Sequence, residues 1–354
     1  MKHWTWLVPA LSLALLVVGI VAGVSTWLAL LSVVGLIGAV AAAVHHAEVV
    51  AHRVGEPFGT LVLAVSVTVI EASLILSMML AGGPEVASLP RDTIYAAIMI
   101  ICNGVVGACV LVGGLVHREQ SFRAEGANAG LAGLIAMAAL SLVLPTFTIS
   151  TPGGTYSELQ LEFAAVTSAV LWAVYVFIQT IRHRDYFLPT DSSNEEAHAA
   201  PPTNREASMS FGLLLASLVA VVGLAKVLSP LIESTLIKAG APPAVLGILI
   251  AMLVLMPEGF AAIRAARADR LQTSINLAIG SALASIGLTI PVVAVAAILL
   301  DMPLVLGLRE KDLVMLVVTF LVSIVTLASG RTHMMQGAVH LVLFATFIFL
   351  AFVP

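Results

Sequence analysis

Two glutamates lie deep inside long apolar runs, and no other feature narrows the fold as much. Glu71 sits in GTLVLAVSVTVIEASLILSMMLAGG, between Gly59 and Gly83. Glu258 sits in AVLGILIAMLVLMPEGFAAI, between Ala244 and Ile263. Of the 354 residues, 60% are hydrophobic and only 10% are charged, against about 25% charged in a soluble domain. The chain reads as a polytopic membrane protein with lipid as its solvent. A carboxylate at the bilayer centre costs about 2.5–3.5 kcal/mol even on the lenient insertion scale. A chain that places one in each half has a use for both.

A membrane-crossing helix needs about 20 apolar residues. Eleven runs qualify: 4–23, 26–44, 59–81, 94–116, 127–146, 160–181, 210–231, 243–263, 273–299, 311–329 and 334–353. They are far longer than barrel strands and do not alternate, which excludes a transmembrane barrel. The expected class is all-α, with about eleven transmembrane helices. The first run is longer than the roughly 7–15-residue core of a signal peptide and lacks an A-x-A site, so it reads as a retained helix.

Lys and Arg set the orientation. With the N-terminus cytoplasmic, inside segments hold Lys2, Arg53, Arg118, Arg123, Arg182, Arg184, Arg205, Arg264, Arg267, Arg270 and Arg331, and outside loops hold Arg91, Lys238, Arg309 and Lys311. The bias places the N-terminus inside and the C-terminus outside. Lys226 is left within a span, with a structural role expected through snorkelling or a pairing with Glu233. The net charge of −4 gives no nucleic-acid signal. Cys102 and Cys109 lie about 10 Å apart along a helix, too far for a disulfide, and read as packing residues.

The polar stretch Arg182–Ser208 is rich in Pro, Ser, Asn and charge and reads as a flexible cytoplasmic linker. Its Glu195, Glu196 and His198 offer at most weak cation binding. On either side the pattern repeats. Gly55-Glu56-Pro57-Phe58-Gly59 precedes Glu71, and Gly240-Ala241-Pro242-Pro243 precedes Glu258. Arg91-Asp92 or Asp269-Arg270 follows, then a helix with Asn and small residues. Five spans per half is an odd count, which inverts one half against the other. The expected organisation is an extra helix over 1–24, a first five-helix repeat over 25–182, a linker over 183–208 and a second repeat over 209–354. Inverted repeats of this kind bind substrate near the bilayer midplane.

The carboxylates of Glu71 and Glu258 are the candidate cation and proton site. Hard cations such as Ca²⁺ take about six to eight oxygens, so hydroxyls, amides, carbonyls and water must add to two carboxylates. Asn103, Asn276, Ser281, Ser285, Thr289 and Ser73 are the supporting candidates. Paired carboxylates in a poorly hydrated cavity disfavour joint ionisation, so cation and proton compete. The stretch from His45 to Arg53 puts His45, Glu48 and His52 on one helix face, a candidate pH sensor or an interfacial polar face. It lacks the H-E-x-x-H spacing, and no GxxxxGK[ST] loop occurs. An enzyme and an ATP-driven pump are thereby disfavoured, and no cofactor is expected.

These residues also carry a resemblance. His46-Ala47-Glu48, Ala51-His52-Arg53-Val54-Gly55-Glu56-Pro57, Val69-Ile70-Glu71-Ala72-Ser73, Pro257-Glu258-Gly259, Gly280-Ser281, Leu288-Thr289-Ile290-Pro291 and Ser329-Gly330-Arg331-Thr332 resemble the calcium/cation antiporter superfamily, in its cation/proton exchanger branch. The chain looks closest to the bacterial inner-membrane calcium/proton antiporters that also exchange sodium or potassium. The resemblance covers essentially the whole chain. It implies export of Ca²⁺, with Na⁺ and K⁺ as further candidates, against protons across an inner membrane. Alternatives are a channel without proton coupling and a monovalent cation/proton antiporter. Where the wider family writes G-N-x-x-E, this chain has Val67-Thr68-Val69-Ile70-Glu71 and Val254-Leu255-Met256-Pro257-Glu258. The missing Gly-Asn pair leaves room for Na⁺ or K⁺, and Pro257 is expected to loosen its helix.

Overall fold

Eleven helices long and apolar enough to cross a membrane make up most of the described chain. The structure, a computed structural model, describes residues 3–353 apart from 24, 56, 57, 189–201, 239, 241 and 243. The helices are α1 (Trp4–Ala22), α2 (Thr26–Val54), α3 (Phe58–Gly82), α4 (Leu89–His117), α5 (Ala124–Phe147), α6 (Glu158–Arg182), α7 (Asn204–Lys238), α8 (Ala244–Arg267), α9 (Leu271–Leu299), α10 (Glu310–Ala328) and α11 (Met334–Phe352). Two three-residue strands, β1 (Glu119–Ser121) and β2 (Arg331–His333), pair antiparallel with Gln120 opposite Thr332.

The ends follow local chemistry. Ser25 caps α2 by accepting from the Leu28 N–H, and Ser157 forms a capping box with Gln160 on α6. Helix α2 runs past the expected end at 44, through the histidines, because no Gly or Pro intervenes before Gly55. That glycine ends it with φ +76°, a value few other residues adopt. Both ends of the expected linker carry local structure. Arg184–Phe187 forms a 3₁₀ turn whose Phe187 is buried edge-on to Tyr175. At the far end, Thr203 and Glu206 cap α7 reciprocally. Glu195, Glu196 and His198 lie outside the described residues.

The helices fall into two compact units. One holds α1, α2, α3 and α7, and within it α2 packs most extensively against α7. Helix α1 is fastened to α2 by polar groups that its own sequence exposes. Pro9 lies inside α1 and has no N–H, so the Thr5 carbonyl four residues earlier loses its usual donor. His46 Nε2 fills the gap at 2.8 Å from a fully buried position. A carbonyl only accepts, so Nε2 carries the proton. Ser12 adds a bond to the Gly35 carbonyl at 2.9 Å.

The other unit holds α4, α5, α6 and α8–α11. Here α4 and α9 run antiparallel. At one end Arg91 of α4 donates to Gly307 beyond the C-terminus of α9, at 3.1 Å. At the other, Gln120, beyond the C-terminus of α4, donates to Asp269 ahead of α9 at 2.7 Å. Helix α4 packs on α11 and α9 packs on α6, exchanging partners as an inverted repeat requires. The loops agree: β1 follows α4 and pairs with β2 before α11, while the N–H groups of Leu306 and Gly307 after α9 meet Gly154 before α6. The Arg/Asp pairs read from the sequence are thus paired anchors at opposite ends. Cys102 and Cys109 are free and buried in α4.

Two proline and glycine effects finish this unit. Pro145 near the end of α5 follows a π segment, Ala139–Val143. The Leu140 carbonyl accepts from the Tyr156 hydroxyl at 2.6 Å, and the Leu142 carbonyl accepts from the Leu308 N–H. Between α4 and α11 the backbones touch: a Cβ on Gly337 would lie 2.4 Å from the Leu111 nitrogen.

The α1–α2 bond yields a prediction. His46→Ala removes the Nε2–H bond to the buried Thr5 carbonyl and should cost about 1–3 kcal/mol. Pro9→Ala in that background gives residue 9 an N–H for the same carbonyl and should recover most of the loss. A double-mutant cycle on thermal unfolding in detergent checks it; additive losses would show that the two positions do not share the carbonyl.

Candidate functional site

Glu258 lies half-buried on α8, where the Ser281 hydroxyl of α9 donates to its Oε2. Helix α8 stays helical through Pro257. It packs against both α4 and α9, and the proline removes one backbone donor. Leu253 four residues earlier loses its usual intrahelical donor. Gly259 brings α4 close: a Cβ there would lie 3.3 Å from Val105 Cγ2. The hydroxyls of Ser281, Ser285 and Thr289 recur every four residues and share one face of α9. Ser285 is buried, and the buried Thr289 hydroxyl finds no hydrogen-bond partner among the described residues.

Glu71 is only 2% exposed. Around it on α3, one turn away on either side, stand the buried Val67, Leu74 and Ile75, with Thr68 as the polar neighbour. Thr68 spends its hydroxyl on the Ala64 carbonyl at 2.9 Å. Ser73 is half-buried. No group of three or more His, Cys, Asp or Glu side chains with metal-ligand geometry occurs among the described residues. A cation bound at either carboxylate therefore has to draw further oxygens from hydroxyls, carbonyls and water.

The other expected supporting residues separate. Asn276 gives its amide N–H to the Phe187 carbonyl at 2.6 Å and accepts from Gln272. It ties down the turn after α6, about 140° around α9 from Ser281. Asn103 lies fully buried in a π segment of α4, Ile100–Val105, and donates to Thr319 of α10 at 2.8 Å. His45, Glu48 and His52 do share a face of α2, with Glu48 and His52 exposed and the His45 ring 5.3 Å from Trp4. Lys226 borders a groove of about 870 Å³ between α1 and α7 with Leu16, Gly19, Gly223 and Pro230; the Glu233 side chain lies outside the described residues.

Sequence reading missed Thr319, Ser323, Thr326 and His340. All four are buried on α10 and α11, and His340 bonds Asn103 and Thr326 at 3.1 and 3.0 Å. The available signals were hydroxyls spaced four and three apart in the tenth span and a lone histidine in the eleventh.

The sodium/calcium exchanger protein family matches residues 24–181 and 209–353. The chain belongs to that family. The protein y4hA of Sinorhizobium fredii, named for ionic transport, is 45% identical over 99% of this chain and 96% of its own. The sodium-potassium/proton antiporter ChaA of Escherichia coli is 34% identical over 91% of this chain and 88% of its own. Among solved structures, the Ca²⁺/H⁺ antiporter YfkE shares the fold with a TM-score of 0.76 at 16% identity, covering 99% of both chains. This family member is a multi-pass cation/proton antiporter, acting on inorganic cations and protons.

The Ser281–Glu258 bond gives a second prediction. Hydrogen bonds to charged groups contribute about 1.5–3 kcal/mol. Ser281→Ala should therefore weaken apparent cation affinity about tenfold or more at fixed pH, and Ser281→Thr should retain it. Cation-dependent exchange in proteoliposomes reads this; equal affinities for all three proteins would show that the hydroxyl does not serve the carboxylate.

Proposed function

We propose that this antiporter exports Ca²⁺ in exchange for protons, with Glu71 and Glu258 as the groups that carry both. The supporting observation is the placing of each carboxylate: one buried and one half-buried at membrane depth, in a family that exchanges cations. Burial without compensation costs several kcal/mol. A bound cation offsets the charge, and a proton removes it. Each carboxylate therefore alternates between a cation-loaded and a protonated form. Competition of this kind couples the two fluxes. Ser281 assists Glu258, and the hydroxyl row of Ser285 and Thr289 offers further oxygens. The proposed setting is a bacterial inner membrane with the N-terminus cytoplasmic. A pH-sensing role for His45, Glu48 and His52 belongs to the same proposal.

A second reading, monovalent cation/proton exchange without Ca²⁺, draws on two observations. The ChaA relative is named for sodium, potassium and protons. Neither glutamate is preceded by the Gly-Asn pair, so the oxygen-rich amide of G-N-x-x-E is missing at both positions. Flux into sealed vesicles under an imposed pH gradient, run with Ca²⁺, Na⁺ and K⁺ in turn, separates the readings. A flux that ignores the pH gradient would point instead to a channel.

Glu71→Gln and Glu258→Gln should each abolish proton-coupled cation transport while the protein folds normally. Gln keeps the volume and one carbonyl oxygen, but it loses the charge and the proton acceptor. Glu195→Gln in the linker is the control and should transport at the original rate. Undiminished exchange by either site variant in proteoliposomes would remove that carboxylate from the mechanism.

A further inference from the structure

Helix α11 carries an imidazole that cation and proton exchange at the glutamates leaves unused. His340 is fully buried. Its Nδ1 lies 3.1 Å from Asn103 Oδ1 on α4, and its Nε2 lies 3.0 Å from the Thr326 hydroxyl on α10. Asn103 Nδ2 lies 2.8 Å from the Thr319 oxygen, and the Thr319 hydroxyl donates to the Met99 sulfur at 3.5 Å. That last bond fixes the direction of the whole chain. With its proton on Met99, the Thr319 oxygen accepts, so the amide nitrogen of Asn103 faces it. The amide oxygen then faces His340, and an amide oxygen only accepts. Nδ1 therefore holds the proton, and Nε2 of the neutral ring accepts from Thr326.

Asn103 sits in the π segment of α4, an arrangement that is rare within helices and often marks functional sites. Its amide is held at both ends, the oxygen by α11 and the nitrogen by α10. Val105 in the same segment covers Gly259, the residue next to Glu258. There is little slack on the other side, since a Cβ on Gly107 would meet the His340 Cβ at 2.9 Å. A continuous line of contact thus runs from the imidazole through Asn103 and the π segment to the backbone beside Glu258.

We propose that His340 is a positioning residue for the ion site. Its Nδ1–H fixes the Asn103 amide, and with it the π segment against which the Glu258 backbone is seated. The inference rests on the reading that Glu258 binds the transported cation. It gives the histidine a donor's role and no proton to carry.

Conservative substitution separates the two nitrogens. The side-chain nitrogen of Asn matches Nδ1 in position, and that of Gln matches Nε2. The full chain is reconstituted in proteoliposomes, and KM is measured for whichever of Ca²⁺, Na⁺ or K⁺ it exchanges, across a pH series. His340→Asn should keep KM within about twofold. His340→Gln should raise it about tenfold, the range expected when a buried hydrogen bond loses its donor. Both should keep the wild-type pH profile. Thr326→Val removes only the Nε2 partner and should leave KM unchanged, so it carries the test if His340→Gln fails to fold. Equal KM for the Asn and Gln variants, the reverse order, a shifted pH profile in both, or a Thr326→Val defect as large as that of Gln would each overturn the inference. Glu258→Gln is measured alongside. If it exchanges normally, the ion-site reading falls and this inference with it; if it is inactive while Asn and Gln behave alike, only the role of His340 falls.

Discussion

Lipid offers no hydrogen bonds, so every backbone polar group within a span has to find its partner inside the protein. That demand organises this structure. Pro9 strips a donor from α1, and His46 of α2 supplies another. Near Pro145, α5 passes one carbonyl to the Tyr156 hydroxyl and another to the Leu308 N–H. Arg91 and Asp92, both buried, satisfy each other and reach Ser88 and Gly307. Each bond joins two segments at the place where an apolar contact alone would let them slide. In a bilayer, where apolar burial barely distinguishes helix from lipid, such bonds and close backbone packing specify the arrangement.

The same demand gives the glutamates their meaning. A hydroxyl or amide can be satisfied permanently, as Asn276 is by Phe187 and Gln272. A carboxylate at membrane depth can be satisfied in two exchangeable ways, by a cation or by a proton. The surrounding helices contribute stiffness. Helix α8 remains intact through Pro257, and it rests against α4 and α9, which are pinned to each other at both ends. Glu258 is therefore presented from a rigid bed with one hydroxyl already aimed at it. Asn103, which sequence alone offers as a cation ligand, is engaged with α10 and α11 and belongs to that bed.

Much of this was legible in the residue order. An apolar run of twenty residues has one stable form in lipid, so the eleven spans could be counted and most of their ends placed within a few residues, although α2 runs ten residues past 44 to Val54. Glu71 and Glu258 stood out because nothing else charged occupies the middle of those two runs. The inverted arrangement of α4–α6 against α9–α11 followed from an odd number of spans per half. What failed was anything that depended on which helix face meets which neighbour. A span apolar on every side has no polar face to point outward, so its inner face cannot be told from its lipid face. Asn276 and Asn103 looked alike for that reason and hold different things. Thr319 and His340 went unnoticed because their partner, Asn103, is 216 and 237 residues away. The sequence by itself determined how many helices are long and apolar enough to cross a membrane and which two acids lie in the middle of such runs. Only the tertiary structure decided which polar groups meet, because hydrogen bonds act over about 3 Å and distance along the chain says nothing about distance in space.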